Sequence, residues 1–143
     1  MVLSCFLKWN IGNNGVQLPF LSVCKGTDMK PLKPKKFQIE RARKAWPILT
    51  ECACNQSRQP MTYGQLAERM RIHHRVCGFF LGLIQECCMN HRPKLPPLQS
   101  LVVNKHTRVP GDGYIATPRD RHSIEQAQNS VFDFHWNQIE NPF

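Results

Sequence analysis

The apolar residues between positions 37 and 53 recur at spacings of three and four, and this periodicity predicts an amphipathic helix that begins near Phe37. The positions on its apolar face are Ile39, Ala42, Trp46, Leu49 and Ala53. Pro47 lies inside the pattern, and proline has no backbone N–H to donate to the preceding turn. We therefore expect the helix to kink at Pro47 or to restart at Trp46.

Two more helical patterns follow, with a short turn between them. Thr62 is a favourable N-cap, and the apolar positions of the first helix come after it: Tyr63, Leu66, Ala67 and Met70. A turn through Ile72–His74 leads into a longer helix from about Arg75 to Asn90. Its predicted inward positions are Val76, Phe80, Leu83, Ile84 and Cys87. The pattern indicates a helix-turn-helix.

Beyond the prolines of "NHRPKLPP" the pattern changes from helical to extended. Leu101–Val103 is a short β run, Asn104–Arg108 is a polar loop, and "PGDG" is a second turn before Tyr114 and Ile115. Two helices followed by short strands with a basic loop are the order of a winged helix-turn-helix. The predicted fold of residues 37–115 is therefore mainly α with a small β wing.

The two ends of the chain differ in their patterns. Residues 1–36 have no helical periodicity and contain the run "KPLKPKK", so we predict a flexible or non-native extension, with Met29 as an alternative start. Residues 116–143 predict one more helix and an aromatic tail that docks on the core, with these aromatic residues: Phe132, Phe134, Trp136 and Phe143. No apolar run approaches the roughly 20 residues that span a bilayer, so no membrane partner is predicted.

The positive charge of the chain is unevenly distributed. The formal net charge is +9, and residues 58–108 carry eight cations against Glu68 and Glu86, which gives that segment +6. Residues 30–50 carry seven cations against Glu40, also +6, whereas the tail from Val109 has a net charge of −3. The excess therefore lies in and beside the predicted helix-turn-helix, which favours a polyanionic partner.

The seven cysteines do not form a recognisable metal or disulfide pattern. Their number is odd, and residues 1–7 lack the basic start of a secretory signal. Neither the Cys52/Cys54 pair nor the Cys87/Cys88 pair has the two-residue gap of common zinc knuckles. We predict reduced, structural thiols in a cytoplasmic protein, with no metal and no cofactor.

Four motifs in the segment from Phe37 to Tyr114 resemble the DNA-binding domain of the alkylguanine-DNA alkyltransferases and their alkyltransferase-like relatives. The opening helix of that domain is similar to "FQIERARKAWPIL", and its entry to the helix-turn-helix is similar to "TYGQLA". The recognition helix resembles "RVCGFFLG", and the closing Gly-Tyr turn resembles "VPGDGY". The resemblance covers a little over half of the chain and implies DNA as the partner and DNA repair as the setting.

The resemblance also implies roles for individual residues. Tyr63 would press on the phosphate beside the target nucleotide, Arg75 would enter the space left by an extruded base, Gly78 would allow close packing, and Tyr114 would close the fold. The further DNA-binding candidates, on the turn and the loop, are Arg71, His74, Lys105 and Arg108. A structural alternative stays open for two of them, since Arg75 can cover apolar surface with its stem and Tyr63 can belong to the core.

The reactive Pro-Cys-His-Arg motif of that family has no counterpart here. If Pro97 is aligned with its proline, Leu98 takes the cysteine position, and if His106 and Arg108 are aligned with its His-Arg, Lys105 does. Neither side chain offers a thiolate, so we predict a non-enzymatic DNA-binding protein.

Two other classes of function remain open from the sequence. One is a protein-interaction module on a winged-helix core, which would use the aromatic tail to join a larger regulatory or defence assembly. The other is a thiol enzyme with Cys77 or Cys87 near His73 or His74.

Overall fold

The computed structural model describes residues 33–143 in full and, of the preceding segment, the backbone of two short strands. These strands, β1 (Ile11–Gly12) and β2 (Gly15–Val16), pair antiparallel with Ile11 opposite Val16. The predicted extension over residues 1–36 therefore lies mostly outside the described residues.

Residues 33–143 are mainly helical with one small parallel two-stranded sheet, which agrees with the predicted mainly α character of the fold. Its helices are α1 (Lys36–Cys54), α2 (Tyr63–Met70), α3 (Cys77–Asn90) and α4 (Arg121–Asp133). Its strands are β3 (Met61–Thr62) and β4 (Val102–Val103), and its 3₁₀ turns are His74–Val76, Leu98–Leu101 and Trp136–Gln138. No helix in residues 33–143 has the length and apolar character needed to cross a membrane.

Helix α1 runs through Pro47 without interruption, so the predicted restart at Trp46 is wrong. Pro47 cannot donate to the carbonyl of Arg43, one turn earlier. That carbonyl instead accepts a hydrogen bond from Asn141 Nδ2 at 2.8 Å. The C-terminal tail thus supplies the donor that the proline removes, and the helix continues.

The predicted N-cap at Thr62 is confirmed, and a turn follows α2 one residue earlier than the predicted Ile72–His74. The Thr62 hydroxyl accepts from the Gln65 N–H at 3.2 Å, and the Gln65 side chain accepts from the Thr62 N–H at 2.9 Å, which forms a capping box. Residues 71–73 form the turn, and the second helix begins as the 3₁₀ turn His74–Val76 before it continues as α3.

The β segment differs in detail from the prediction. Leu101 belongs to a 3₁₀ turn rather than to the strand, and β4 pairs in parallel with β3, with Thr62 opposite Val103. In the described residues no strand follows the loop at Tyr114 or Ile115, so the loop is not flanked by an antiparallel hairpin. A short, continuously apolar run does not reveal whether it forms a strand or a buried turn.

The core lies between α1, α2 and α3, with the segment from Leu98 to Val103 passing through it. Its largest fully buried aliphatic side chains include Leu49, Leu66, Ile84, Leu98 and Leu101. Phe80 and Cys87 of α3 are buried as predicted, whereas Val76 and Leu83 are only half-buried.

The aromatic tail packs on α1. The Trp136 ring is 2% exposed and meets Trp46 edge-on, with ring centroids 5.9 Å apart. Phe143 also contacts Trp46, at 6.1 Å, and its carbonyl accepts a hydrogen bond from Arg43 Nε at 3.1 Å. The tail therefore contributes to the core of this chain.

Candidate nucleic-acid interface

The turn of the helix-turn-helix is built on a residue with left-handed backbone geometry. Arg71 ends α2 with φ 56° and ψ 46°, and its N–H lies within hydrogen-bonding reach of the Ala67 and Glu68 carbonyls. Glycine usually fills such a position because it has no Cβ to clash with the backbone. The Arg71 side chain is exposed.

The start of the second helix presents a cluster of polar rings and a cation. The His73 and His74 rings stack with centroids 4.5 Å apart. His73 Nδ1 accepts from the Arg75 N–H at 3.2 Å, so this side chain caps the 3₁₀ turn. His74 and Arg75 are both exposed, and the exposed face of α3 continues from Arg75 through Gly78, Phe79 and Gly82.

The basic loop after β4 is a closed turn. The Asn104 N–H donates to the Val109 carbonyl at 2.9 Å, and the Arg108 N–H donates to the Asn104 carbonyl at 2.9 Å. Asn104 Oδ1 also accepts from the N–H of His106 at 2.8 Å. Lys105 and Arg108 are both exposed on this turn.

The loop and the helix-turn-helix turn lie at opposite ends of α2. The parallel strands β3 and β4 run in one direction, so the loop leaves β4 beside the point where β3 enters α2. The eight residues of α2 then separate this point from Arg71 by roughly 12 Å at 1.5 Å per residue. The start of the loop and Arg71 are therefore closer together than the roughly 34 Å of one turn of a DNA duplex.

The cations at these two places have no acidic partner among the described residues, a property that they share with Arg41 and Arg92. Five arginines elsewhere form ion pairs with carboxylates: Arg43, Arg58, Arg69, Arg119 and Arg121. Within residues 33–143 no carboxylate lies within ion-pair distance of Arg71, Arg75, Lys105 or Arg108. Their charge remains available to a polyanion.

Tyr63 has a structural task inside the protein. Its hydroxyl accepts from the Gly111 N–H at 2.8 Å, and burial raises the pKa of this half-buried side chain. A Cβ at Gly111 would lie 2.8 Å from the Tyr63 hydroxyl oxygen, so a larger residue there would force the Tyr63 side chain to move. Arg119 donates to the carbonyl of Gly111 at 3.0 Å from the other side. Tyr63 therefore holds the loop that contains "PGDGY".

A cavity of about 60 Å³ lies between α3 and this loop. We call it the glutamine cavity, because Gln85 and Gln99 line it. The remaining lining residues are Tyr63, Gly78, Leu81, Gly82, Pro110, Gly113 and Tyr114. The Tyr114 hydroxyl forms a hydrogen bond with Thr117 Oγ1 at 2.9 Å, and Thr117 does not line the cavity.

The sequence reasoning missed the two glutamines. Gln85 stands in the apolar run "FFLGLIQECC", and Gln99 stands in "PLQSLVV". Both side chains are buried. A lone amide inside an apolar run was the available signal, because a buried polar group needs hydrogen-bond partners.

The described cysteines do not provide an activated thiol at this site. Burial raises the pKa of Cys77 to about 11, although the Arg41 guanidinium opposes the shift, and raises that of Cys88 to about 12. None of the residues that line the glutamine cavity is a cysteine. In residues 33–143 no three His, Cys, Asp or Glu side chains are grouped so that they could hold a metal ion.

No protein-family model matches this chain, and searches of curated proteins and of solved structures found no match either. The resemblance to the alkyltransferases therefore rests on the sequence motifs alone.

Proposed function

We propose that this protein is a non-enzymatic DNA-binding protein of the alkyltransferase-like type, which engages duplex or damaged DNA through its helix-turn-helix and its basic loop. The observation that carries the proposal is the set of exposed cations without acidic partners at the turn and on the loop: Arg71, Arg75, Lys105 and Arg108. Cations left unpaired on a surface contribute to binding by neutralising phosphates and releasing counterions.

The roles divide by position. Lys105 and Arg108 on the loop, and Arg71 at the turn, contact flanking phosphates. Arg75 lies in the 3₁₀ turn that begins the second helix, and the exposed face of α3 after it consists of Gly78, Phe79 and Gly82. In this proposal its guanidinium replaces a displaced base in the stack. His74 adds hydrogen-bonding capacity beside it. Within this proposal the helix pair and loop act together as a winged helix-turn-helix.

Two observations favour this function over the alternatives. The Trp136 ring of the aromatic tail is buried against Trp46, so it is not presented to a protein partner. The raised pKa of Cys77 lowers its thiolate fraction at neutral pH, which disfavours a thiol nucleophile beside His73 and His74. We accordingly expect no methyl transfer to the protein from a methylated oligonucleotide, as measured by intact-protein mass spectrometry.

The test is a salt titration of binding to a short duplex. If about four phosphates are neutralised, log K should fall with log salt at a slope of about −3.6. Lys105→Ala should reduce the slope by about one on every DNA. Arg75→Ala should in addition weaken binding by about 1–3 kcal/mol on duplexes with a displaced or weakened base, which is the contribution of one stacked base.

Arg121→Ala is the matched control, because it removes the same charge from α4, where Arg121 pairs with Glu125 at 3.7 Å. This variant should keep the slope of the wild type. The proposal is wrong if the wild type does not bind duplex DNA at low salt. An equal reduction of the slope in Lys105→Ala and Arg121→Ala would show that net charge, rather than this surface, is responsible for binding.

A further inference from the structure

The outward side of α3 and of the 3₁₀ turn before it carries a line of residues at spacings of three and four. The buried residues of this helix, such as Phe80, Leu81 and Ile84, lie on its other side and face the core. We call the outward line the outer stripe of α3. Its members are exposed or half-buried, and they are Arg75, Gly78, Phe79, Gly82, Leu83 and Glu86.

The outer stripe has one projecting ring and two gaps. The Phe79 side chain is 63% exposed. A Cβ built on Gly78 or Gly82 would have no described atom within 4 Å beyond the adjacent residues and the backbone of the helix itself. Glycine also lowers the stability of a helix interior relative to alanine, so these positions are not explained by the helix. Nothing within residues 33–143 covers the ring or fills the gaps.

The two ends of the outer stripe carry opposite charges. Arg75 lies at one end and Glu86 at the other, about 16 Å away at 1.5 Å per residue. Within residues 33–143 neither side chain lies within ion-pair distance of an opposite charge. Burial raises the pKa of the half-buried Glu86 carboxyl, so a cation beside it would stabilise the ionised form.

The outer stripe is complementary to itself when two copies of α3 lie side by side and antiparallel. In one register, Arg75 of each copy lies opposite Glu86 of the other, so both ends form ion pairs. The same register places the Phe79 ring against Gly82, and it places the half-buried Leu83 against the other glycine. Each projecting side chain therefore meets a gap. Reciprocal contacts of this kind characterise an interface with twofold symmetry, in which residue i contacts residue j and j contacts i.

We propose that the outer stripe of α3 is the interface of a symmetric, antiparallel dimer, and that its occupant is a second copy of this chain. The proposal goes beyond the DNA-binding function and does not rest on it. Where both hold, DNA and the second copy compete for Arg75. The stripe spans about three helical turns, which is a small contact beside the roughly 1,200–2,000 Å² of a stable interface. We therefore expect a weak dimer whose population depends on protein concentration.

Sedimentation equilibrium of the full chain, from micromolar to millimolar concentration and without DNA, measures this dimer. Arg75→Glu and Glu86→Arg should each raise the dimer Kd about three- to thirtyfold, because both ion pairs are lost at once. The double variant Arg75→Glu/Glu86→Arg exchanges the charges and keeps both pairs, so it should restore the wild-type Kd. Lys44→Glu is the matched control: it makes the same change of charge at an exposed position of α1 and should leave Kd unchanged.

Gly82→Leu tests the gap that receives Phe79 of the other copy. This variant should fold, because leucine favours the helix and its side chain enters open space, and circular dichroism checks the fold. It should raise Kd by about tenfold or more, since the two side chains then overlap.

Three results would overturn the dimer. The wild type stays monomeric at millimolar concentration, the double charge exchange fails to restore the association that the single reversals weaken, or Gly82→Leu associates as the wild type does. Because no DNA is present, none of these results depends on whether the DNA-binding function holds.

Discussion

At the scale of single residues, Arg71 illustrates a conflict between stability and a proposed binding role. Its left-handed backbone, with φ 56°, is costly for any residue with a Cβ, by roughly 1–2 kcal/mol. Glycine would adopt this geometry without strain, yet the position holds an exposed arginine. Within the proposed function, this strain is retained because the arginine supplies an unpaired positive charge at the turn.

Arg71→Gly should therefore raise stability while it weakens DNA binding. The relief of roughly 1–2 kcal/mol exceeds the extra unfolded-state entropy of glycine, about 0.5–1 kcal/mol, so a net gain of about 0.5–1 kcal/mol is expected in urea unfolding. The salt slope of duplex binding should fall by about one unit. Arg71→Ala is the control: it should lose the same slope without the gain in stability. A stable variant with wild-type slope would remove Arg71 from the interface.

At the scale of elements, the sequence pattern predicted the features that form between neighbouring residues. The periodicity of Tyr63, Leu66 and Ala67, with Thr62 before it, gave the cap and the helix, because a capping box is made within four residues. Where the deciding contact came from distant sequence, the prediction was incomplete. Asn141 donates to the Arg43 carbonyl, which Pro47 cannot do, and no residue near Pro47 in the sequence indicates this contact.

The same distinction holds for the β segment and for the site. The strand partner of Val102–Val103 is Met61–Thr62, some forty residues earlier, so the pattern predicted a strand but not its parallel pairing. Candidate cations were found because charge is visible in the sequence. The glutamine cavity was missed, since Gln85 and Gln99 meet only when α3 packs on the 98–101 turn.

The link between Asn141 and Pro47 can be measured with a double-mutant cycle. Asn141→Ala in the wild type should reduce the free energy of unfolding by about 0.5–1.5 kcal/mol, because the Arg43 carbonyl loses its donor. Pro47→Ala restores an N–H at the position that donates to this carbonyl within the helix. In that background Asn141→Ala should cost measurably less. The hydrogen bond between Asn141 Oδ1 and the Phe143 N–H is lost in both backgrounds and cancels. Equal costs in the two backgrounds would contradict the account of α1.

At the scale of the whole molecule, five arginines in residues 33–143 are paired with carboxylates and the other described arginines are not. The paired arginines lie on α1, in the loop before β3, on α2 and in the C-terminal region, as in the pairs Arg58–Asp133 at 2.7 Å and Arg69–Glu51 at 2.9 Å. These exposed pairs contribute little to stability, typically below about 1 kcal/mol each. In the proposed function, the unpaired cations at the turn and on the loop attract the polyanion, because no carboxylate within residues 33–143 neutralises them.

Burial of thiols in the core makes the free energy of unfolding of the whole molecule decrease at alkaline pH. The pKa of Cys77 is about 11 in the folded protein, against an ordinary value of 9.0. Between these values the unfolded chain has released a proton that the folded chain retains, so the free energy of unfolding falls as pH rises. Each such thiol adds a slope of about −1.4 kcal/mol per pH unit inside its window. Below pH 9 the contribution is constant.

Unfolding in urea at pH values from 8 to 11 tests this expectation. Cys77→Ala should be less stable than the wild type at pH 8, since it leaves a cavity in the core, but its stability should decline less steeply above pH 9. Cys54→Ala removes an exposed thiol and should reproduce the wild-type profile. Other groups that titrate in this range affect all three proteins alike and cancel in the comparison. Parallel profiles for the wild type and Cys77→Ala would show that Cys77 ionises equally in the folded and unfolded chains. Its thiolate would then be accessible at mildly alkaline pH, and the thiol-enzyme hypothesis beside His73 and His74 would regain its basis.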